Sequence, residues 1–240
     1  MLIDHLKKTD DRAITKWHHY FQVYEREMGR FLKKPISFLE IGIFKGGSIP
    51  MWKDYFPDGS RLTFIDIDPA CKAFEIEGTN VRIGNQADPE FLTSLAEELG
   101  PFDVVLDDGS HVCAHQIASF ESLWQHLTNG GLYMVEDCHT SYWPGFGGGY
   151  RNEASFIEYS KRLIDTMHSW YTDQDALFPF QDMARELNSV RFYDSIVAIE
   201  KLEQKEPPTS LVSKNGNVEA SRRALQVRGR TSVFAGKDGS

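Results

Sequence analysis

The sequence predicts a doubly wound α/β fold, with a mostly parallel sheet that closes in a C-terminal antiparallel hairpin. Three observations carry this reading. Five short apolar runs alternate with helical stretches between residues 37 and 135, the order expected of repeated β-α-β units. Two further β-rich runs in SVRFYDSIVAIEK, residues 189 to 201, are separated only by Tyr193-Asp194-Ser195, which is hairpin spacing. Finally, FDVVLDD and GLYMVED are apolar nearly throughout and end in the acid pairs Asp107-Asp108 and Glu136-Asp137. Buried parallel strands read in this way, and their carboxyl ends form the edge where open α/β sheets bind ligands.

In chain order, residues 11 to 33 place Trp17, Tyr20, Phe21, Tyr24, Met28 and Phe31 at helical spacing, which predicts an amphipathic helix with a core-facing aromatic stripe. SFLEIGI, residues 37 to 43, is a strand that runs into the turn FKGGS and a helix bearing Met51, Trp52 and Tyr55. Gly42 permits a tight turn, while Gly46 and Gly47 permit close approach of backbone to a ligand. The spacing is not the GxGxxG of dinucleotide sites. Glu40 before the first glycine suits a ligand with a cationic amine, and Ser48 at the close of the turn is counted with it.

RLTFIDID supplies a second strand, with Asp66 where an acid commonly binds ribose hydroxyls. A third, NVRIGNQAD from Asn80, leads to Asn85, Gln86 and Asp88; Gln86 is assigned to an adenine edge and Asp88 to the cap of the helix EFLTSLAEELG. FDVVLDD and GLYMVED are the fourth and fifth strands. The helix QIASFESLWQHL lies between them, and Asn129-Gly130-Gly131 is assigned as its C-terminal cap. CHTSYWPGFGGGYRN is expected to loop over the site with a mobile centre at Gly147-Gly148-Gly149. A helix over 153–170 and the hairpin follow. The chain thus divides into an N-terminal helical extension (1–34), a main domain (35–201) and a polar tail (202–240) without sustained periodicity.

A length of 240 residues suits one medium domain. The net charge of -9 and the lack of a clustered basic face argue against a nucleic-acid partner and leave small-molecule chemistry. Cys71, Cys113 and Cys138 are odd in number and show no CxxC spacing, so neither a disulfide framework nor a thiolate zinc site is indicated. No apolar run approaches membrane-spanning length, and the N-terminus lacks a signal-peptide pattern. A cytoplasmic protein with no membrane partner is expected.

Two acid pairs on neighbouring strands, with His111 three residues beyond the first pair, read as a divalent-metal site with a histidine beside it. At this point the residues resemble a known family. LEIGIFKGGS, FIDIDP, VLDDGSH and VEDCHTSYW are similar to the macrocin- and mycinamicin-type sugar O-methyltransferases, a branch of the class I S-adenosylmethionine-dependent methyltransferases. KWHHYFQVYE is similar to the helix that precedes the core in related enzymes. The pairing of DDGSH with ED-x-HTSYW carries most of the resemblance.

The resemblance implies a seven-stranded Rossmann-like sheet, S-adenosylmethionine as methyl donor, Mg2+ as the metal and a glycosylated natural product of antibiotic biosynthesis as acceptor. It implies Asp108, Glu136 and Asp137 as metal ligands and His111 as general base. Glu40, Gly42, Ser48, Asp66 and Gln86 form the expected cofactor set. Asp107 is left out of the metal set, as a residue that holds the loop or points toward the cofactor. His115 is read as structural, and His139 as supporting the site from behind. Relatives of the mycinamicin type carry an extra N-terminal oligomerisation domain for which 240 residues leave no room, so a homo-oligomer stays open. Three alternatives stand beside this reading: a catechol or polyphenol acceptor, an iron-dependent hydroxylase using His111, Asp108 and Glu136, and a scaffold that has kept the fold without chemistry.

Overall fold

The computed structural model describes residues 1–6, 12–172, 174, 176–205 and 211–220. Seven strands form one sheet: β1 (Ser37–Ile41), β2 (Arg61–Asp66), β3 (Thr79–Ile83), β4 (Phe102–Asp107), β5 (Leu127–Val135), β6 (Leu187–Phe192) and β7 (Val197–Lys201). Their order is β3-β2-β1-β4-β5-β7-β6. The first five strands pair in parallel, and β7 runs antiparallel to both β5 and β6. The strand order reverses between β1 and β4, and such a reversal opens a crevice at the carboxyl ends of the two strands.

Alternating side chains feed two cores, as the period of two in a strand requires. Phe38, Val104 and Met134 point to one face and pack with Tyr20, Tyr24, Met28, Trp52 and Phe64. Leu39, Val105 and Tyr133 point to the other and pack with Phe120, Trp124 and Phe156. The helices on these faces are α1 (Leu2–His5), α2 (Tyr20–Met28), α3 (Ser48–Tyr55), α4 (Pro89–Leu99), α5 (Cys113–Leu123) and α6 (Phe156–His168). Asp88 caps α4 by accepting from the Glu90 and Phe91 amides, and Pro89 fills its first position, where no amide hydrogen is needed. Among the described residues, no helix is long and apolar enough to cross a membrane.

Four local expectations change. The N-terminal helix begins at Tyr20, not near residue 11; residues 12–17 are an irregular strap, because Lys16 is drawn into a buried acid cluster. The aromatic stripe survives as Tyr20, Phe21, Tyr24 and Met28, while Trp17 is exposed. Asn129-Gly130-Gly131 lies inside β5 instead of capping α5, which gives way to a 3-10 turn at Trp124–His126. The register shift opposite, between Phe102 and Val104, accommodates that segment. Gly147-Gly148-Gly149 is tied down: the Gly149 amide donates to Ser141 O at 2.8 Å, and Asn152 donates to the carbonyls of Gly147 and Gly148. A Cβ on Gly148 would lie 2.4 Å from Ser141 O, so close packing explains a glycine there.

In the tail, β8 (Leu211–Lys214) and β9 (Asn217–Ala220) pair antiparallel about Asn215-Gly216. Both turn residues have positive φ, 54° and 77°, the signature of a type I′ turn that Asn-Gly favours. Residues 206–210 and 221–240 of the tail lie outside the described residues.

Candidate active site

The crevice at the strand reversal holds a cavity of about 770 Å³, lined by Gly42, Ser48, Asp66, Asn85, Gln86 and Asp108 and walled on one side by the strap residues Ala13–Lys16. Gly42 has φ +85°, and a Cβ there would lie 2.3 Å from Asp108 O. Only glycine lets β1 turn this close to the end of β4. Asp66 faces the cavity at the end of β2 and also fixes its floor: Oδ2 accepts from the amides of Ile43 (2.9 Å) and Phe44 (3.3 Å), and Oδ1 from that of Asp68 (2.9 Å).

Two residues of the expected cofactor set act mainly on their neighbours. Glu40 is fully buried; it accepts from Ser48 Oγ (2.6 Å) and Trp52 Nε1 (3.1 Å). Burial pushes its carboxyl up to about 7. Gln86 lines the cavity, but its amide nitrogen donates to Asp107 (3.0 and 3.2 Å) and to Ser119, and its carbonyl accepts from the Ser110 amide at 2.6 Å. It therefore braces the DDGSH loop. Asp107 is buried on that brace, its carboxyl also pushed up to about 7 by burial, and it holds the loop by accepting from Gln86 and from the Gly109 amide.

Asp108, His111, Glu136 and Asp137 meet where the ends of β4 and β5 adjoin the cavity. His111 Nε2 lies 3.4 Å from Asp137 Oδ2. His111 and Asp137 both adopt left-handed backbone, φ 57° and 53°. Non-glycine residues held in this region cost about 1–3 kcal/mol each and cluster at functional sites. Thr140 stabilises both turns by donating to His111 O and Asp137 O, at 2.9 Å each. Tyr20 OH donates to Asp137 Oδ1 at 2.6 Å, and Tyr24 OH to Glu136 Oε1 at 2.5 Å.

At the centre of the acids stands Lys16, whose side chain is 3% exposed. Its Nζ is 2.6 Å from Asp108 Oδ2, 3.1 Å from both Glu136 oxygens and 3.6 Å from Glu40 Oε1. Burial alone would discharge the ammonium, but Asp108, then Glu136 and Glu40, outweigh it and hold Lys16 well above the ordinary lysine value. Burial, and next the charge of Asp108, push the Glu136 carboxyl up. Three carboxyl groups thus converge on one ammonium, with Asp137 adding a further acid beside them.

Such a cluster of oxygen donors suits a divalent cation. Asp108, His111 and Asp137 can each offer one ligand atom, all within 4.8 Å of one another. Glu136 touches the same space from behind, its oxygens shared with Lys16 and Tyr24. His111 Nδ1 is buried without a hydrogen-bond partner, leaving Nε2 as its contact to the acid.

A second cavity of about 280 Å³ opens on the other side of Lys16, lined by Trp17, Tyr20, Asp108, Glu136 and Asp137. His139 stands nearby, its Nδ1 2.6 Å from Ser195 Oγ and 3.9 Å from Asp137 Oδ1. Its ring lies 4.8 Å from Trp143 and 6.1 Å from Trp17, so the half-exposed indoles flank it. His115 pairs with Ser110 Oγ at 2.9 Å, away from the acids. Lys16 and Tyr24 carry no sequence signal as site residues; no spacing rule connects them to acids about 90 to 120 residues away.

Comparison with known proteins agrees with this architecture. Residues 39–138 match the family model described as a methyltransferase domain. A curated relative, the 8-demethyl-8-alpha-L-rhamnosyl tetracenomycin-C 2'-O-methyltransferase of Streptomyces olivaceus, is 36% identical over 196 residues, 78% of this chain and 51% of its own length. The L-olivosyl-oleandolide 3-O-methyltransferase of Streptomyces antibioticus is 42% identical over 168 residues, 64% of this chain and 43% of its own. Among solved structures, MycE methyltransferase from the mycinamycin biosynthetic pathway, in complex with Mg and SAH, superposes with a TM-score of 0.74 at 32% identity, covering 80% of this chain and 52% of that one. The fold is that of the class I methyltransferases. Within it, residues 39–138 form a methyltransferase domain related to the macrocin- and mycinamicin-type sugar O-methyltransferases. The chain spans about half the length of the curated relatives it matches.

Proposed function

We propose that the protein is a metal-dependent O-methyltransferase that moves a methyl group from S-adenosylmethionine to a sugar hydroxyl of a glycosylated natural product in antibiotic biosynthesis. The observation that carries this reading is the adjacency of two spaces at the acid edge: the large cavity with Gly42, Ser48 and Asp66, and the smaller cavity lined by Asp108, Glu136 and Asp137. The relatives' names supply the acceptor class. We place the cofactor in the large cavity, with Asp66 toward its ribose and Gly42 and Ser48 at its methionine end. Glu40 and Gln86 position these groups from behind.

Asp108, Glu136 and Asp137 would hold Mg2+, as the MycE complex encourages. When bound, the ion supplies a Lewis acid that can chelate neighbouring hydroxyls and lower the pKa of one of them. His111 then takes the hydroxyl proton at Nε2, the atom it presents to Asp137. General-base help of this kind is typically worth about 10²–10⁴-fold. Trp17 and Trp143 suit a stacking wall for the acceptor. Binding is expected in the cytoplasm without nucleic acid or membrane, and a homo-oligomer remains open.

Calorimetry on chelator-treated protein tests the reading, with S-adenosylmethionine, Mg2+ and two acceptor panels: glycosides with neighbouring hydroxyls, and catechols. Micromolar cofactor binding with Mg2+-dependent glycoside binding is expected. No cofactor binding in any condition would overturn the methyltransferase assignment, and Mg2+-dependent binding of catechols alone would overturn the sugar acceptor.

A further inference from the structure

Lys16 belongs to no element of the sheet, yet its ammonium is the cation on which three strand ends converge: Glu40 from β1, Asp108 just beyond β4 and Glu136 just beyond β5. The strap that carries it has two sides. Ala13 to Lys16 wall the large cavity, and Thr15 to His18 wall the small one. The strap is also pressed onto the glycine turn, since a Cβ on Gly47 would lie 2.6 Å from Ala13 O. Arg12 ties its start to Phe74 O at 2.9 Å. Next to Lys16 are Trp17 and, one turn into α2, Tyr20 and Tyr24, which donate to Asp137 and Glu136.

We propose that Lys16 is a positioning residue: as the internal counter-ion of Glu40, Asp108 and Glu136 it seats the strap, so that closing the wall of the large cavity and ordering the acid edge are one event. Like-charged acids this close repel unless a cation lies between them, and burial strengthens the repulsion. A cation delivered by the strap therefore joins two sites that the sheet alone would leave independent. A ligand bound in the large cavity, against the strap, must favour the ordered acid edge. The identity of that ligand rests on the function proposed above, but the coupling of strap and edge does not.

The test uses the full chain as wild type, Lys16→Met, which keeps length and removes charge, and Lys16→Arg, which keeps charge. Hydrogen exchange is followed in peptides covering 12–18 and 133–138, alongside calorimetry with SAH and with Mg2+. In Lys16→Met, exchange is expected to rise in both segments together, while peptides from β2 and β3 stay unchanged. SAH binding should weaken by about 10-fold or more, a common size for coupling between sites. Lys16→Arg should recover most of both effects. In wild type, adding SAH should slow exchange in both segments at once, which keeps the idea testable if Lys16→Met does not fold. Faster exchange confined to the strap, or SAH protection of 12–18 without 133–138, would overturn the proposal. Absence of SAH binding by wild type would instead count against the cofactor assignment, and the exchange of the Lys16 variants would still decide the role of Lys16.

Discussion

His111 and Asp137 face each other across the gap between the ends of β4 and β5, Nε2 3.4 Å from Oδ2, and both hold left-handed backbone. Thr140 fastens the two turns from one hydroxyl, so the imidazole and the carboxylate are set by the same strained scaffold. This arrangement separates two roles for His111. A base is lost without loss of metal; a ligand takes the metal with it. His111→Ala is expected to lower turnover at least about 100-fold while Mg2+ and SAH affinities stay within about threefold. Turnover at the wild-type rate would remove His111 from the chemistry, and a parallel loss of Mg2+ affinity would make it a ligand.

Asp137→Asn separates charge from shape. Asparagine tolerates the left-handed conformation and retains a carbonyl for Tyr20 OH, so the fold should persist. One negative charge leaves the acid edge, and Mg2+ affinity should fall about 10- to 100-fold, with Mg2+-stimulated activity lost alongside it. Calorimetric Mg2+ titration checks this, and unchanged affinity would show that the ligand set is wrong.

Stability should fall as pH rises from acid to neutral. Burial raises Asp107 from 3.8 to about 7 and Glu40 from 4.5 to about 7. An acid whose folded pKa exceeds its unfolded value takes up a proton on folding, so its contribution declines as pH climbs from the unfolded value to the folded one and is level beyond it. Over pH 5 to 7 each group should remove about 2 kcal/mol. Glu75 and Glu200 are lowered, so their opposite trend is complete below this window. Burial pushes Glu136 up as well, so three buried acids share the slope; urea denaturation of Mg2+-free protein at pH 5, 6, 7 and 8 reads it, and Asp107→Asn should flatten it by about a third. An unchanged slope in that variant would mean that Asp107 ionises freely in the folded protein.

The strand pattern and the acid pairs were legible because both are local: a period of two feeding two cores, and carboxylates that end apolar runs. The same locality made Asp88 legible as a cap. Lys16 was not legible, since its partners are 24 to 120 residues away and a lysine beside a tryptophan has no local signature. Helical periodicity continued through Trp17 on paper, but pulling Lys16 into the acids outweighs the preference of those few residues for helix. Asn129-Gly130-Gly131 has the composition of a helix cap, yet it lies within β5, in the stretch skipped where the register with β4 shifts between Phe102 and Val104. The Asn215-Gly216 dipeptide is itself a hairpin signal, but the short strands on either side lie in a charged and polar tail without sustained apolar alternation. Gln86 lines the large cavity, yet its bonds to Asp107 and Ser110 depend on a loop that arrives more than 20 residues later.

Gly42 and Gly130 offer a controlled pair for the crowding at the strand reversal. Both have φ +85°, so an alanine at either position meets the same backbone strain, about 1 kcal/mol. Their surroundings differ. At Gly130 a Cβ would meet nothing within 4 Å, whereas at Gly42 it would meet Asp108 O at 2.3 Å and Gly109 Cα at 2.7 Å. Backbone cannot yield as a flexible side chain can, so Gly42→Ala must push the end of β1 away from the DDGSH loop and carry Asp108 with it. Gly130→Ala should cost about 1 kcal/mol in urea denaturation, and Gly42→Ala about 2–4 kcal/mol. Gly42→Ala should also weaken Mg2+ and SAH binding together, because the displaced segment lines the large cavity and carries an acid of the edge. Equal costs at the two glycines, with ligand affinities intact, would show that β1 and the DDGSH loop can separate without consequence for the site.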